Sequence, residues 1–476
     1  MRDRRSFLQS LGIVAGASAL AIKYPKQAFA ETEPIISIRQ AAALPPVNIP
    51  ADFIGLGYEM SSVAPIGLLS AKNARYMQLI ANLGSRGVFR VGGIVAEYTQ
   101  YQPQGTIAAE PKNTVITKTS LEQFAVFLRK TGWNAIWSVN FGRGTLEEAL
   151  AEARDVARIL GPSLQALEIG NEVENYSKGD HPLRKPPYDY ETYRAEYRIW
   201  HAALKTAVPQ LRFAAPDTAA SIEWVERMAS DADGDVQLLT THYYRNHQTK
   251  GTAEQLAFPD TELRSKLERL KHASETSGIP WRMCETNSFS GGGKPGVSDT
   301  LLGALWTLDY MLLLASYGCA GVNMETGVNQ LGFISSYSPV QDDGHHKNFA
   351  GAPYYGMLAC ADALREAHEV LPLEWDTRGI NLTAYLLGRA GTPRTLVVVN
   401  RDNHRDATIS FEDLKMGTVA AHFLSGVSFL SAEGVTYRGS SIDSEGRWKA
   451  APAKLIHSGS ATVPRMSAVI LQTQNA

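Results

Sequence analysis

Between residues 50 and 365 short apolar runs alternate with stretches whose apolar residues recur at helical spacing. The runs are Asp52–Met60, Gly87–Gly93, Asn134–Asn140, Leu164–Glu172, Arg212–Thr218, Leu238–Tyr244, Pro280–Asn287 and Cys319–Thr326. Each has the length and β-branched or aromatic content of a buried strand. Between them, Leu146, Leu150, Ala153, Ala157 and Leu160 form one face of a helix, and Thr145 with Glu148 gives a capping box at its start. Leu263, Leu267 and Leu270 mark a second helix; Leu301 to Ala315 is a third, almost wholly apolar and interrupted by Asp309. Such a helix packs against a sheet, because it is too short for a membrane. Eight strand–helix units predict a (β/α)8 TIM barrel, an α/β fold, rather than an open sheet.

Beyond residue 366 the period shortens. Leu382–Leu387, Leu396–Val399, Thr408–Phe411 and Ala468–Leu471 are separated by Gly, Asn, Asp and Pro, which predicts a C-terminal antiparallel β-sandwich domain. The predicted organisation is therefore a barrel over 50–365 and a sandwich over 366–476. Residues 31–49 form a lead-in whose strand-like Ile35–Arg39 joins the sandwich. Residues 1–30 read as an address. Arg4-Arg5 precede an apolar stretch from Leu11 to Ile22, and Ala28-Phe29-Ala30 supplies a cleavage site. This resembles a bacterial twin-arginine export signal and predicts a periplasmic or extracellular protein.

The full chain of 476 residues has 46 basic and 48 acidic side chains; without the signal, 41 and 47 remain. A mildly acidic protein lacks the basic footprint of a nucleic-acid binder. Three cysteines, Cys284, Cys319 and Cys360, are too few and too apolar in setting for a disulfide framework. No dinucleotide fingerprint, P-loop or Cys/His ligand spacing is present, so no cofactor and no metal are predicted. Asp342-Asp343-Gly344-His345-His346 reads as a solvated loop.

In a barrel of this kind the chemistry collects at the C-terminal ends of the strands. The fourth run ends in Asn171-Glu172, and the seventh carries Glu285 in Met283-Cys284-Glu285-Thr286-Asn287. Two carboxylates facing one pocket suit a retaining glycosidase, in which one is a proton donor and the other attacks the anomeric carbon. Arg90 stands alone in an apolar strand and needs a carboxylate partner. Glu285 would serve, as would a structural ion pair lower in the barrel. Alternation in His242-Tyr243-Tyr244 puts His242 and Tyr244 on one face, which favours Tyr244 over Tyr243 as a donor to the nucleophile. Glu59, at the end of the first strand, is placed either to accept from sugar hydroxyls or to form a salt bridge.

The Asn171-Glu172 and Glu285 pair resembles the large clan of (β/α)8 glycosidases with acids on strands four and seven. Three longer stretches, Phe53-Ile54-Gly55-Leu56-Gly57-Tyr58-Glu59, Phe89-Arg90-Val91-Gly92-Gly93 and Glu285 to Gly293, are similar to glycoside hydrolase family 79, the β-glucuronidases and heparanase-like enzymes. The resemblance implies that Glu172 is the acid/base, Glu285 the nucleophile and Asn171 a ligand of the sugar 2-hydroxyl. It also implies that the amides of Gly291 and Gly292 and the hydroxyl of Tyr337 hold the carboxylate of a glucuronide or another uronic-acid-containing substrate. The chain departs from the family at Met324-Glu325, which bears on leaving-group preference. A glycosidase for a neutral sugar, such as a β-xyloside or β-glucoside, and a non-catalytic carbohydrate-binding barrel are the competing readings.

Overall fold

The computed structural model describes residues 35–41, 44–110, 112–179, 182–232, 234–327, 335–342 and 348–474. The export-signal segment and Asp343 to His346 lie outside the described residues. Eight strands, β1 (Ile54–Glu59), β2 (Val88–Gly92), β3 (Asn134–Val139), β4 (Leu164–Ile169), β5 (Phe213–Thr218), β6 (Leu238–His247), β7 (Trp281–Ser290) and β8 (Val322–Glu325), close into one parallel barrel in sequence order. This is a (β/α)8 TIM barrel. All eight coincide with the apolar runs of the sequence. However, β6 and β7 continue to His247 and Ser290, pairing residue by residue above the rim as a two-stranded ribbon. Arg245, Asn246 and His247 give no strand pattern of their own, so this extension is imposed by the partner strand.

The helices follow the strands: α1 (Ala74–Leu83), α2 (Lys118–Thr131), α3 (Leu146–Leu160), α4 (Tyr190–Ala207), α5 (Ile222–Asp231), α6 (Thr261–Ser277), α7 (Leu301–Ser316) and α8 (Ala352–Ala363). The capping box of Thr145 and Glu148 starts α3, each side chain taking the other's backbone amide. Cys284, Cys319 and Cys360 are free and buried. Among the described residues, no helix is long and apolar enough to cross a membrane.

After α8 the chain builds two further sheets. The larger has eight strands, with Leu382–Arg389, Thr392–Asn400, Ser467–Thr473 and Val419–Ser425 at its centre. The smaller has four, and in it Ile36–Gln40 pairs with Leu373–Trp375 on one side and Ala407–Ser410 on the other. An apolar cluster including Ile36, Ile38, Leu386, Val398, Ile409 and Val469 draws on both sheets. The opposite face of the larger sheet, with Tyr385, Val397 and Ile470, belongs to the same apolar cluster as the barrel helices.

That contact explains α7. Fifteen of its sixteen residues are buried, so it needs no polar face. Its single acid, Asp309, points into the larger sheet. The carboxylate accepts from Tyr385 Oη at 2.8 Å and from Thr383 Oγ1 at 2.5 Å, and pairs with Arg401 at 2.8 Å. Asp309→Ala should cost about 3–5 kcal/mol in urea unfolding, because it leaves the Arg401 guanidinium buried and unpaired. The double replacement Asp309→Leu, Arg401→Met should recover most of that loss.

Candidate active site

Room for polar groups inside the barrel is made by small residues. A Cβ on Gly55 would lie 2.8 Å from Arg282 Nη2, and one on Gly92 would lie 2.6 Å from Arg90 Cζ. Two arginines therefore occupy the barrel axis in successive layers. Arg282, nearer the N-terminal end, donates to Asn323 Oδ1 at 2.7 Å and to the carbonyl of Asp52 at 3.3 Å.

Arg90, from β2, is fully buried beneath the C-terminal rim and is saturated with acceptors. Its Nε donates to Glu168 at 2.9 Å, Nη1 to Glu285 Oε2 at 2.9 Å, and Nη2 to Asn171 Oδ1 at 2.9 Å and to Asp217. The guanidinium thus joins β4, β5 and β7 at one point. Glu285 is oriented from its other side by Tyr244 Oη, which donates to Oε1 at 2.9 Å. Tyr243 points outward and donates to Asp260 at 2.6 Å.

Glu172 follows β4 with φ of 49°, and Asp217, at the end of β5, has φ of 59°. Left-handed backbone costs a non-glycine residue about 1–3 kcal/mol and persists only where the surroundings enforce it. Here the Glu172 amide donates to the Asp217 carbonyl at 2.8 Å, so the two strained residues hold each other. His242 completes the link. Its Nε2 lies 3.0 Å from Asp217 Oδ1, and its Nδ1 lies 3.3 Å from Glu172 Oε1 and 3.9 Å from Glu285 Oε2. One carboxylate oxygen of Glu172 and one of Glu285 are within 4.8 Å of each other and of the imidazole.

Burial opposes the charge on Asp217, but Arg90 and then His242 outweigh it and hold the carboxyl down at about 2. Burial would likewise strip the proton from His242, yet the charges of Asp217 and Glu285 keep the imidazole well above its usual range. Burial and the Asp217 charge push Glu168 up to about 7. Glu97 is pushed by burial to about 7 as well; it accepts from the Asn171 amide at 2.8 Å and so holds the Asn-Glu turn.

The remaining residues singled out in the sequence surround this centre. Glu59 is buried at the end of β1 and accepts from the Val95 amide at 2.8 Å. Gly291 and Gly292, with φ of 80° and 96°, turn the chain where the β6–β7 ribbon ends. The Gly292 carbonyl accepts from Ser336 Oγ at 3.1 Å and from the Tyr337 amide at 3.4 Å, which seats Tyr337 beside the turn. The Tyr337 ring stacks on Tyr244, with centroids 6.2 Å apart. Asn287 Nδ2 ties the carbonyls of Glu325 and Tyr337 together, at 2.9 and 3.1 Å. Burial, followed by the charges of Glu285 and Glu59, raises the Glu325 carboxyl well above its usual range. Lys294 is turned away and donates to the Gly251 carbonyl at 2.7 Å.

Sequence reasoning missed Asp217 and gave His242 no role. Asp217 ends a strand as Glu172 and Glu285 do, so the same positional rule would have found it. In a proton NMR titration over about pH 5 to 8, the His242 imidazole should show no titration step. Asp217→Asn should lower the imidazole's midpoint, because its largest raising charge is gone, and lower turnover by about two orders of magnitude.

No protein-family model matches the chain. Two β-glucuronidases align with most of it. One, from Aspergillus niger, is 26% identical over 392 residues, covering 72% of this chain and 70% of that protein. The other, from Neurospora crassa, is 26% identical over 403 residues, covering 74% and 69%. Among solved structures, a 4-O-α-L-rhamnosyl-β-D-glucuronidase from Fusarium oxysporum has the same fold, with a TM-score of 0.76 at 17% identity over 92% of this chain and all of that one. A family 51 α-L-arabinofuranosidase from Bifidobacterium longum superposes with a TM-score of 0.66 at 16% identity, over 93% of this chain and all of that one. With the barrel and its paired carboxylates, these relatives make the chain a glycoside hydrolase.

Proposed function

We propose that the chain is an exported, retaining β-glucuronidase of the family 79 type, with Glu172 as acid/base and Glu285 as nucleophile. The observation that carries this reading is that one carboxylate oxygen of Glu172 lies within 4.8 Å of one of Glu285. Retaining glycosidases separate them by about 5–5.5 Å, whereas inverting enzymes leave about 6.5–9.5 Å for a water. Identity to two β-glucuronidases supports the choice of sugar.

In the first step Glu285 attacks the anomeric carbon while Glu172 gives its proton to the glycosidic oxygen. The bond to the leaving group breaks, and that group departs as an alcohol. In the second step Glu172 takes a proton from water, the water oxygen attacks the same carbon, and the ester bond to Glu285 breaks. Negative charge thus passes from Glu285 to Glu172 and back. His242 Nδ1, 3.3 Å from one and 3.9 Å from the other, faces the charge in both states. Arg90 and Tyr244 hold Glu285 in line, and Asn171 takes the sugar 2-hydroxyl. Glu59 accepts from the hydroxyls at the far side of the ring.

The uronate carboxylate lies against the Gly291-Gly292 turn and the Tyr337 hydroxyl. Glycine lets the backbone approach an anion closely, which a mildly acidic protein needs because its overall charge gives no attraction. The two sheets beyond α8 act as a β-sandwich built over residues 366–476 and joined by the lead-in strand of 31–49. Residues 1–30 direct export and are removed near Ala30.

A panel of aryl β-glucuronide, β-glucoside and β-xyloside, with proton NMR of the first-formed anomer, tests sugar and stereochemistry together. The expected result is preference for the glucuronide with retention. An inverted first product overturns the mechanism, and a preferred neutral sugar overturns the substrate. Glu285→Gln should abolish turnover. Tyr337→Phe should raise KM for the glucuronide about tenfold, the effect of one hydrogen bond to a charged group, and leave KM for an uncharged glycoside unchanged.

A further inference from the structure

The helices of a (β/α)8 barrel run from its C-terminal face to its N-terminal face. The end of α8, with Asp362 and the following Arg365, therefore lies at the end of the barrel opposite Glu172 and Glu285. There it meets the larger sheet in a concavity of about 260 Å³ lined by Arg365, Arg389, Arg394 and Arg438. Four arginines around so small a space are unexpected in a protein whose acids outnumber its bases. Only two carboxylates share the concavity, those of Asp362 and Glu366.

The buried carboxylate is already taken. Asp362 Oδ2 accepts from Tyr437 Oη at 2.7 Å and from Arg438 Nη1 at 3.3 Å, and Oδ1 lies 3.4 Å from Arg365. Arg438 adopts a φ of 53°, a costly left-handed conformation, and its buried Nε makes no hydrogen bond. A buried donor left unsatisfied costs about 1–3 kcal/mol, so its retention calls for a partner. Arg389 ends its strand with an exposed side chain that enters no ion pair among the described residues. The positive field is registered by His422 on the neighbouring strand. Burial, with the Arg438 charge added to it, holds that imidazole down at about 4.

We propose that this concavity is an oxyanion-binding site, distinct from the catalytic pocket, that takes a sulfate- or phosphate-type group, free or as an ester on a larger molecule. Guanidinium forks pair with such oxygens bidentately, and several forks around one space suit a tetrahedral group with oxygens in every direction. The volume of about 260 Å³ admits the charged group and little more than the unit that bears it.

Calorimetric titration of the full chain with sodium sulfate, sodium phosphate and dextran sulfate, against sodium chloride and neutral dextran at matched ionic strength, tests the site. Saturable binding of the inorganic ions identifies a site for free oxyanions. Binding of dextran sulfate alone identifies one for polymer-borne esters. In either case Arg389→Gln, Arg394→Gln should weaken binding at least about tenfold, a difference of about 1.4 kcal/mol. The exposed pair Arg129→Gln, Arg154→Gln, equal in charge change, should have no effect. Binding to none of the three, or equal weakening by both pairs of replacements, overturns the proposal. Unchanged unfolding midpoints without ligand, together with unchanged aryl glycoside hydrolysis, show that the replacements leave the fold intact.

Discussion

The burial of one guanidinium group organises this molecule. Desolvating the Arg90 charge costs several kcal/mol, and it is tolerated because Glu168, Asn171, Asp217 and Glu285 converge on it from three other strands. Each of those side chains is fixed by the arginine it neutralises. The electrostatic requirement that closes the barrel centre is thus the same one that orients the Glu285 carboxylate at the rim. Asp217 extends the arrangement to the acid on the other side, through His242 and through its own backbone carbonyl. Stability and the geometry of the candidate site cannot be separated here, since both reside in the same few contacts.

Much of this was legible in the sequence. Eight apolar runs at regular intervals sufficed for the barrel, because each strand is buried on both faces and carries its own signal. The carboxylates of Glu172 and Glu285 were singled out because function collects where strands end, and the fold brings one oxygen of each within 4.8 Å of the other. Tyr244 followed from alternation along one strand, and it does reach Glu285. What stayed hidden depends on pairing across strands. The β6–β7 ribbon continues through polar residues that have no strand preference. The contacts of Asp217 with Arg90 and His242 join residues far apart in sequence. Glu168 and Glu97 looked like ordinary acids, and only burial reveals them as groups held near neutrality.

The ribbon matters because of what it carries. Tyr244 lies on one strand, Glu285 on the other, and the glycine turn closes the end of the second. Tyr337 is stacked on the first strand and bonded to the turn. Glu285, the Tyr244 hydroxyl that donates to it and the turn beside Tyr337 therefore move together or not at all. Such rigidity favours geometric accuracy at the reacting carbon, since small misplacements there are expensive in rate.

The helix α7 bears on how far such a protein can be simplified. Its apolar surface is complete because a sheet from the other end of the chain covers one side of it. A catalyst trimmed to the barrel alone would present that side, and the vacated Asp309, to water. Its failure would be aggregation, and shuffling barrels onto foreign sheets would meet the same obstacle. Evolution and engineering alike are left with the loops above the rim, where residues can change without uncovering anything.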